Sequence, residues 1–184
     1  MDIIKRVIAP LSAEAALGLK AGDMVALSGV IYTARDAAHK RLLQALDGGL
    51  PLPFGLDGQV LYYVGPCPAK PPRPFGPCGP TTSFRMDSYT PRLLDLGLKG
   101  MIGKGQRSPD VIASMKKNAA VYFAAIGGAA ATISRSVKKA EAIAYEDLGP
   151  EAIYRLEVEG FPCIVAIDTR GASLYDLGPE MYRR

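Results

Sequence analysis

Three cations stand where strand-like residues give way to helix-like ones. Arg35 follows the apolar run ending at Thr33, Arg85 follows Thr81 and Thr82 in "GPTTSFRMD", and Lys104 sits in "GMIGKGQRS" with a glycine on either side. In α/β sheets, ligands bind where strands end, and the helices that begin there offer unpaired N–H groups and a positive dipole. Arginine forks bind carboxylates in bidentate fashion, and lysine adds a point charge. One fixed positive charge at each of three such junctions suits a small dianion such as a dicarboxylate. Any one of these cations alone also suits a solvated surface, and "GKG" is too short for a phosphate loop. The glycines beside Lys104 let backbone approach a ligand, which separates that position from an ordinary surface lysine.

His39 is the sole histidine and lies four residues after Arg35, on the same helix face. Two roles fit it: orienting Arg35 or relaying a proton, and fixing the helix through hydrogen bonds. Asp36 either caps its helix or pairs with Arg35. Gly127 and Gly128 form a further strand-to-helix turn, read as structural.

The elements that must hold these residues follow from pattern. Met24 to Leu27 and Val30 to Thr33 read as short strands. "TARDAAHKRLLQALDGG" reads as a helix capped by the pair Thr33 and Asp36, with Ala38, Leu42, Ala45 and Leu46 on its apolar face and a stop at Gly48 or Gly49. "QVLYYVG" is a buried-type strand. Seven prolines then fall between Gly65 and Pro80, and a helix is expected from about Thr81. A tract that loses little entropy on ordering holds Thr81 and Arg85 in fixed geometry, so it reads as part of a site and not as a linker.

"TPRLLDLG" is a helix with Thr90 as cap and Gly97 as terminator, and "SPDVIASMKKN" repeats that grammar with Ser108 and Pro109. "KGMIGKG", "AVYFAA", "AEAIAY", "YRLEVEGF" and "CIVAIDTRG" supply further strands. The alternation defines an α/β class with a mixed sheet covered by helices, and the chain reads as one domain over residues 1–184.

Composition narrows the partners. The chain has 22 basic and 18 acidic residues, and the basic ones are scattered, which speaks against nucleic-acid binding. No apolar run approaches a membrane span, and "MDIIKRVIAPLSAEAALGL" lacks the pattern of a secretory signal, so the expected compartment is the cytoplasm. Cys67, Cys78 and Cys163 lie 11 and 85 positions apart, a spacing that matches no common zinc or iron–sulfur site. No metal ligand set is expected on this chain.

Taken together, "RDAAHKR", "GPTTSFRMD", "GMIGKGQRS" and "DLGPEAIYRLEVEGFPCIVAIDTRG" resemble the β subunit, or C-terminal half, of class I fumarases and L(+)-tartrate dehydratases, in the family's order and over nearly the whole chain. The resemblance implies a swivelling β/β/α domain. It also implies a hydro-lyase acting on a four-carbon dicarboxylate with a [4Fe–4S] cluster as Lewis acid, the cluster being held by cysteines of an α subunit and not by this chain. Arg35, Arg85 and Lys104 fall on the family's substrate-carboxylate contacts, and Thr81 falls on the threonine proposed as base. Because Met1 begins within the β portion, the expectation is a separate subunit in a hetero-oligomer of α and β chains. Reversible hydration of fumarate to malate leads, L(+)-tartrate dehydration is the alternative, and a non-catalytic dicarboxylate-binding module is a third.

Overall fold

Strand β1 (Lys5–Ala9), helix α1 (Ala13–Leu17), strand β2 (Met24–Thr33) and helix α2 (Asp36–Asp47) open a chain in which strand and helix alternate. Strand β3 (Val60–Tyr62), helix α3 (Thr90–Asp95), strand β4 (Gly100–Gly103), helix α4 (Pro109–Asn118), strand β5 (Val121–Ala124) and helix α5 (Ala130–Ser134) continue it. Strands β6 (Val137–Ala144) and β7 (Ile153–Ile167) and helix α6 (Leu174–Tyr182) complete it. The structure, a computed structural model, describes residues 4–125 and 129–182. Gly127 and Gly128 lie outside the described residues.

The sheet is mixed and, with the helices, makes an α/β fold. Strands β1 to β5 run parallel to their neighbours, and β7 runs antiparallel to β2, β5 and β6. Since β7 pairs with both β2 and β5, the pairings β2–β3–β4–β5–β7 close on themselves. Closure removes the open edges that those five strands would otherwise present to solvent.

Alternation along the strands sorts two apolar clusters. Val25, Leu27, Ile31, Val60, Tyr62, Ile102, Val121 and Phe123 join one, together with Leu156, Val158, Phe161, Cys163 and Val165 of β7. Leu61, Tyr63, Met101 and Tyr122 point the other way, into a second cluster with Ala38, Leu42 and Leu43 of α2, Leu93 and Leu94 of α3, and Val111 and Met115 of α4. A period of two on the strands and of 3.6 on the helices produces this partition.

Several local expectations are corrected. "YRLEVEGF" and "CIVAI" belong to one strand of 15 residues, which ends at Ile167, so that "DTRG" lies beyond it. Pairing with β2 shifts register between Leu27 and Gly29, where β7 carries an extra residue near Gly160, whose φ is 62°. The bulge reverses parity, so inward residues are even-numbered before it (Leu156, Val158) and odd-numbered after it (Phe161, Cys163, Val165). A single strand therefore reads as two. Met24 to Thr33, also expected as two runs, is likewise one strand.

Thr33 does not cap α2, since its hydroxyl donates to the Ala152 carbonyl at 3.2 Å and accepts from Tyr154 N–H at 2.9 Å. Arg35 occupies the cap position without a side-chain bond. On α2 the fully buried residues include His39 and Leu43, while Ala45 and Leu46 are only half-buried. Thr90 is the first residue of α3 and not its cap, and its buried hydroxyl donates to Met86 carbonyl at 2.8 Å. Ser108 does cap α4, accepting from Val111 N–H at 3.4 Å.

Candidate functional site

Parallel strands end on the same side of a sheet, so the register of β2, β3 and β4 carries Arg35, Gly65 and Lys104 to one edge. The proline tract returns to that edge as a folded-back arm. Val64 bridges Pro80, Cys67 N–H donates to Pro77 carbonyl at 2.9 Å, and Phe75 and Cys78 are buried at its base. Its end then adds to the sheet: Thr81 N–H donates to Tyr63 carbonyl at 2.7 Å, and Thr82 pairs with Lys104 in a parallel bridge.

The helix expected from Thr81 is a short 3-10 turn, Ser83–Met86, whose cap residue is Thr82. Thr81 therefore lies between two bridged residues, one position ahead of the turn's cap. Its hydroxyl makes no hydrogen bond among the described residues. The turn sits tightly on β4. A Cβ on Gly103 would stand 1.9 Å from Ser83 Oγ, so only glycine admits Ser83 there.

The two arginines meet on one carboxylate. Arg85 Nε donates to Asp36 Oδ1 at 2.8 Å, and Arg35 Nε lies 3.7 Å from Asp36 Oδ2. Asp36 opens α2, where the helix dipole favours an anion. Arg35 also reaches Glu151, whose Oε1 is 3.2 Å from its Nη2 and whose Oε2 accepts from Ala37 N–H at 2.8 Å. Its Nη1 lies over Gly65, 2.5 Å from where a Cβ would stand. Arg35 is thus half-buried and ion-paired with Glu151, whereas Arg85 is 52% exposed and its terminal amino groups are free of hydrogen bonds among the described residues. Lys104 is exposed, and among the described residues its ammonium has no partner.

His39 is enclosed. Its Nδ1–H donates to the Arg35 carbonyl at 2.9 Å, which fixes the tautomer, and its ring packs against Tyr63 and Tyr89. Burial, helped by the charge of Arg107, pushes its pKa down to about 4, so the ring is neutral near pH 7. The bond to the Arg35 carbonyl suits the helix-fixing role, and the buried Nε2 has no hydrogen-bond partner among the described residues.

The sequence reading missed the pin beneath the site. Arg107 is buried between the rings of Tyr63 and Tyr122, with Nε on Asp87 Oδ1 at 2.7 Å and Nη2 on Thr90 Oγ1 at 2.8 Å. Asp87 Oδ2 also accepts from Ser108 N–H at 2.6 Å. Tyr122 hydrogen-bonds Ser83 Oγ and donates to Gly105 carbonyl, each at 2.9 Å. These contacts join the loop carrying Lys104 to the turn carrying Arg85. Arg107 lies within "GKGQRS", but nothing local marks its partner 20 residues earlier.

A cluster held by cysteines needs thiolates that converge. Cys67 is exposed while Cys78 and Cys163 are buried, and burial pushes both buried thiols up, that of Cys78 to about 12. Among the described residues, no three His, Cys, Asp or Glu side chains group to hold a metal ion. The described residues of this chain do not fit an iron–sulfur cluster.

Fold and site together define an α/β unit that presents an anion-attracting edge at the ends of parallel strands. Residues 6–178 match the family model for the fumarase C-terminus, and the chain belongs to that family. It is 39% identical over 165 residues to a putative L(+)-tartrate dehydratase subunit beta of Methanocaldococcus jannaschii, a match covering 86% of this chain and 84% of that one. It is 39% identical over 153 residues to the anaerobic class I fumarate hydratase of Escherichia coli and 38% identical over 158 residues to fumarate hydratase 2 of Leishmania major. Those matches cover 82% and 84% of this chain, which spans only 28% of the length of each of these two enzymes.

Proposed function

We propose that this chain is the β subunit of a hydro-lyase that hydrates fumarate to malate reversibly, working with an α subunit that carries the [4Fe–4S] cluster. The observation that carries this reading is the gathering of Arg35, Arg85, Lys104 and Thr81 at one edge by parallel strand register and the returning proline arm. Arg85 offers one substrate carboxylate the edge of its guanidinium that is free among the described residues, and Lys104 offers an ammonium that has no partner among them. Arg35, braced by Glu151, binds substrate beside Arg85. Among the described residues the Thr81 hydroxyl makes no hydrogen bond, which suits proton transfer once a neighbour polarises it.

Charge balance supports a two-chain site. Asp36 and Glu151 match the two arginines, and among the described residues Lys104 is left as the one uncompensated charge of these three cations. A dicarboxylate brings two negative charges, so further donors belong to the partner in this reading. The match to a tartrate dehydratase β subunit over 84% of its length favours a second reading, in which the substrate is L(+)-tartrate.

The test is kinetic: the chain, assembled anaerobically with its α partner, is assayed with malate and with tartrate. Turnover of malate supports the first reading, turnover of tartrate alone supports the second, and no turnover of either overturns both. Within the active complex, Arg85→Lys is expected to lower kcat/KM at least tenfold, because an ammonium cannot copy a guanidinium fork. A change within about twofold, equivalent to less than about 0.5 kcal/mol, would remove Arg85 from the site.

A further inference from the structure

Asp36 contacts both arginines, and its geometry differs at its two oxygens. Oδ1 takes a full hydrogen bond from Arg85 Nε, whereas Oδ2 stops 3.7 Å from Arg35 Nε. Both Oδ2 and that nitrogen are buried and lack hydrogen-bond partners among the described residues. Glu151 faces Arg35 alone, and among the described residues Asp36 provides the only carboxylate against Arg85. Two guanidinium groups converging on one place repel each other unless an anion lies between them.

We propose that Asp36 is a positioning residue that acts as shared counter-ion to Arg35 and Arg85 and sets their spacing for substrate; this rests on the reading of both arginines as substrate-binding. Its alternative is that Asp36 competes with substrate for them. The contact edge decides between the two. Asp36 occupies the Nε side of Arg85 and leaves the terminal amino groups, the edge best suited to a bidentate carboxylate, free of hydrogen bonds among the described residues. A competitor would take the edge that substrate needs. Without Asp36, an arginine 52% exposed would lose its anchor, and binding substrate would have to order it.

The experiment uses the complex assembled with its α partner and compares wild type, Asp36→Asn, Arg85→Lys and the double variant. Asp36→Asn is expected to raise KM at least about fivefold, to lower kcat by less than that factor, and to leave the melting temperature nearly unchanged. In the Arg85→Lys background the same change should add less than about twofold, because its effect runs through that arginine. A lowered KM would make Asp36 a competitor, and an unchanged KM or fully multiplicative effects would make it independent of the arginines; each overturns the proposal. Should Asp36→Asn fail to assemble, Asp36→Glu keeps the charge on a longer arm and must still raise KM, and a KM within about twofold of wild type overturns the proposal. An Arg85→Lys complex with wild-type kinetics would instead sink the substrate-binding reading itself, so the two failures are distinct.

Discussion

Thr81 and His39 show how environment assigns a residue its work. Thr81 has a backbone fixed by Tyr63 and a hydroxyl that caps nothing, so removing that hydroxyl should spare the fold. Thr81→Val is expected to lower kcat of the assembled enzyme by at least about a hundredfold while changing stability by less than about 0.5 kcal/mol, below the cost of a lost cap. Near wild-type kcat would send the search for the base to the partner chain. His39 makes the opposite case. Its pKa of about 4 lies below the ordinary 6.5, so between these values the unfolded chain binds a proton that the folded one refuses. The stability that its neutrality supplies is complete above about pH 6.5 and is lost as pH falls toward 4, on the order of 3 kcal/mol in total. Urea unfolding at about pH 7 and about pH 5 should show about 2 kcal/mol of this loss, and His39→Gln should flatten it. Equal slopes in the two proteins would exclude His39 as the source.

At the scale of elements, the 3-10 turn that carries Arg85 is seated on strand β4 through one glycine. Gly103→Ala would drive its methyl group into Ser83 Oγ, breaking the bond to Tyr122 and lifting the turn. The expected cost is about 1 to 3 kcal/mol of stability together with a marked loss of kcat/KM, since a displacement near 1 Å costs on the order of a hundredfold in rate. Ser83→Ala in the same chain removes the clashing oxygen. The double variant should therefore recover part of both losses, measured by thermal unfolding and by kinetics on the assembled complex. A double variant worse than Gly103→Ala alone would contradict this seating. The proline arm serves the same end, because its two legs pair with each other before Thr81 joins the sheet. Arg107 completes the support by tying Asp87 and Thr90 on one side to the start of α4 on the other.

For the whole molecule, the proposal of a cluster held by a partner chain can be tested through the thiols. Cys78 and Cys163 sit in the apolar cluster between the strands, where burial keeps their protons on, and Cys67 lies outside on the arm. The chain by itself is expected to stay colourless through anaerobic reconstitution with iron and sulfide. Stoichiometric iron with a cluster absorbance band in the chain alone would overturn that expectation and move the cluster onto this polypeptide. Among the described residues, no helix is long and apolar enough to cross a membrane.

What the sequence by itself determined was local. Ser108 and Pro109 announced α4, "RDAAHKR" announced α2, strand–helix alternation announced the α/β class, and four motifs in order announced the family. The candidate cations were also legible, because residue type and a neighbouring glycine are properties of the chain. Tertiary structure decided which of these residues meet. Thr33 turned away from its own helix to Ala152 and Tyr154, more than a hundred residues on, because strand β7 lies beside β2. Asp36 became common to two arginines 49 positions apart from it at one end and adjacent at the other, and Arg107 found Asp87 across a loop. Caps, turns and periodicities arise from interactions within a few residues and are written in composition. Partners brought together by strand register depend on the closed pairing of the entire sheet, where one bulge at Gly160 reverses which side chains face the core.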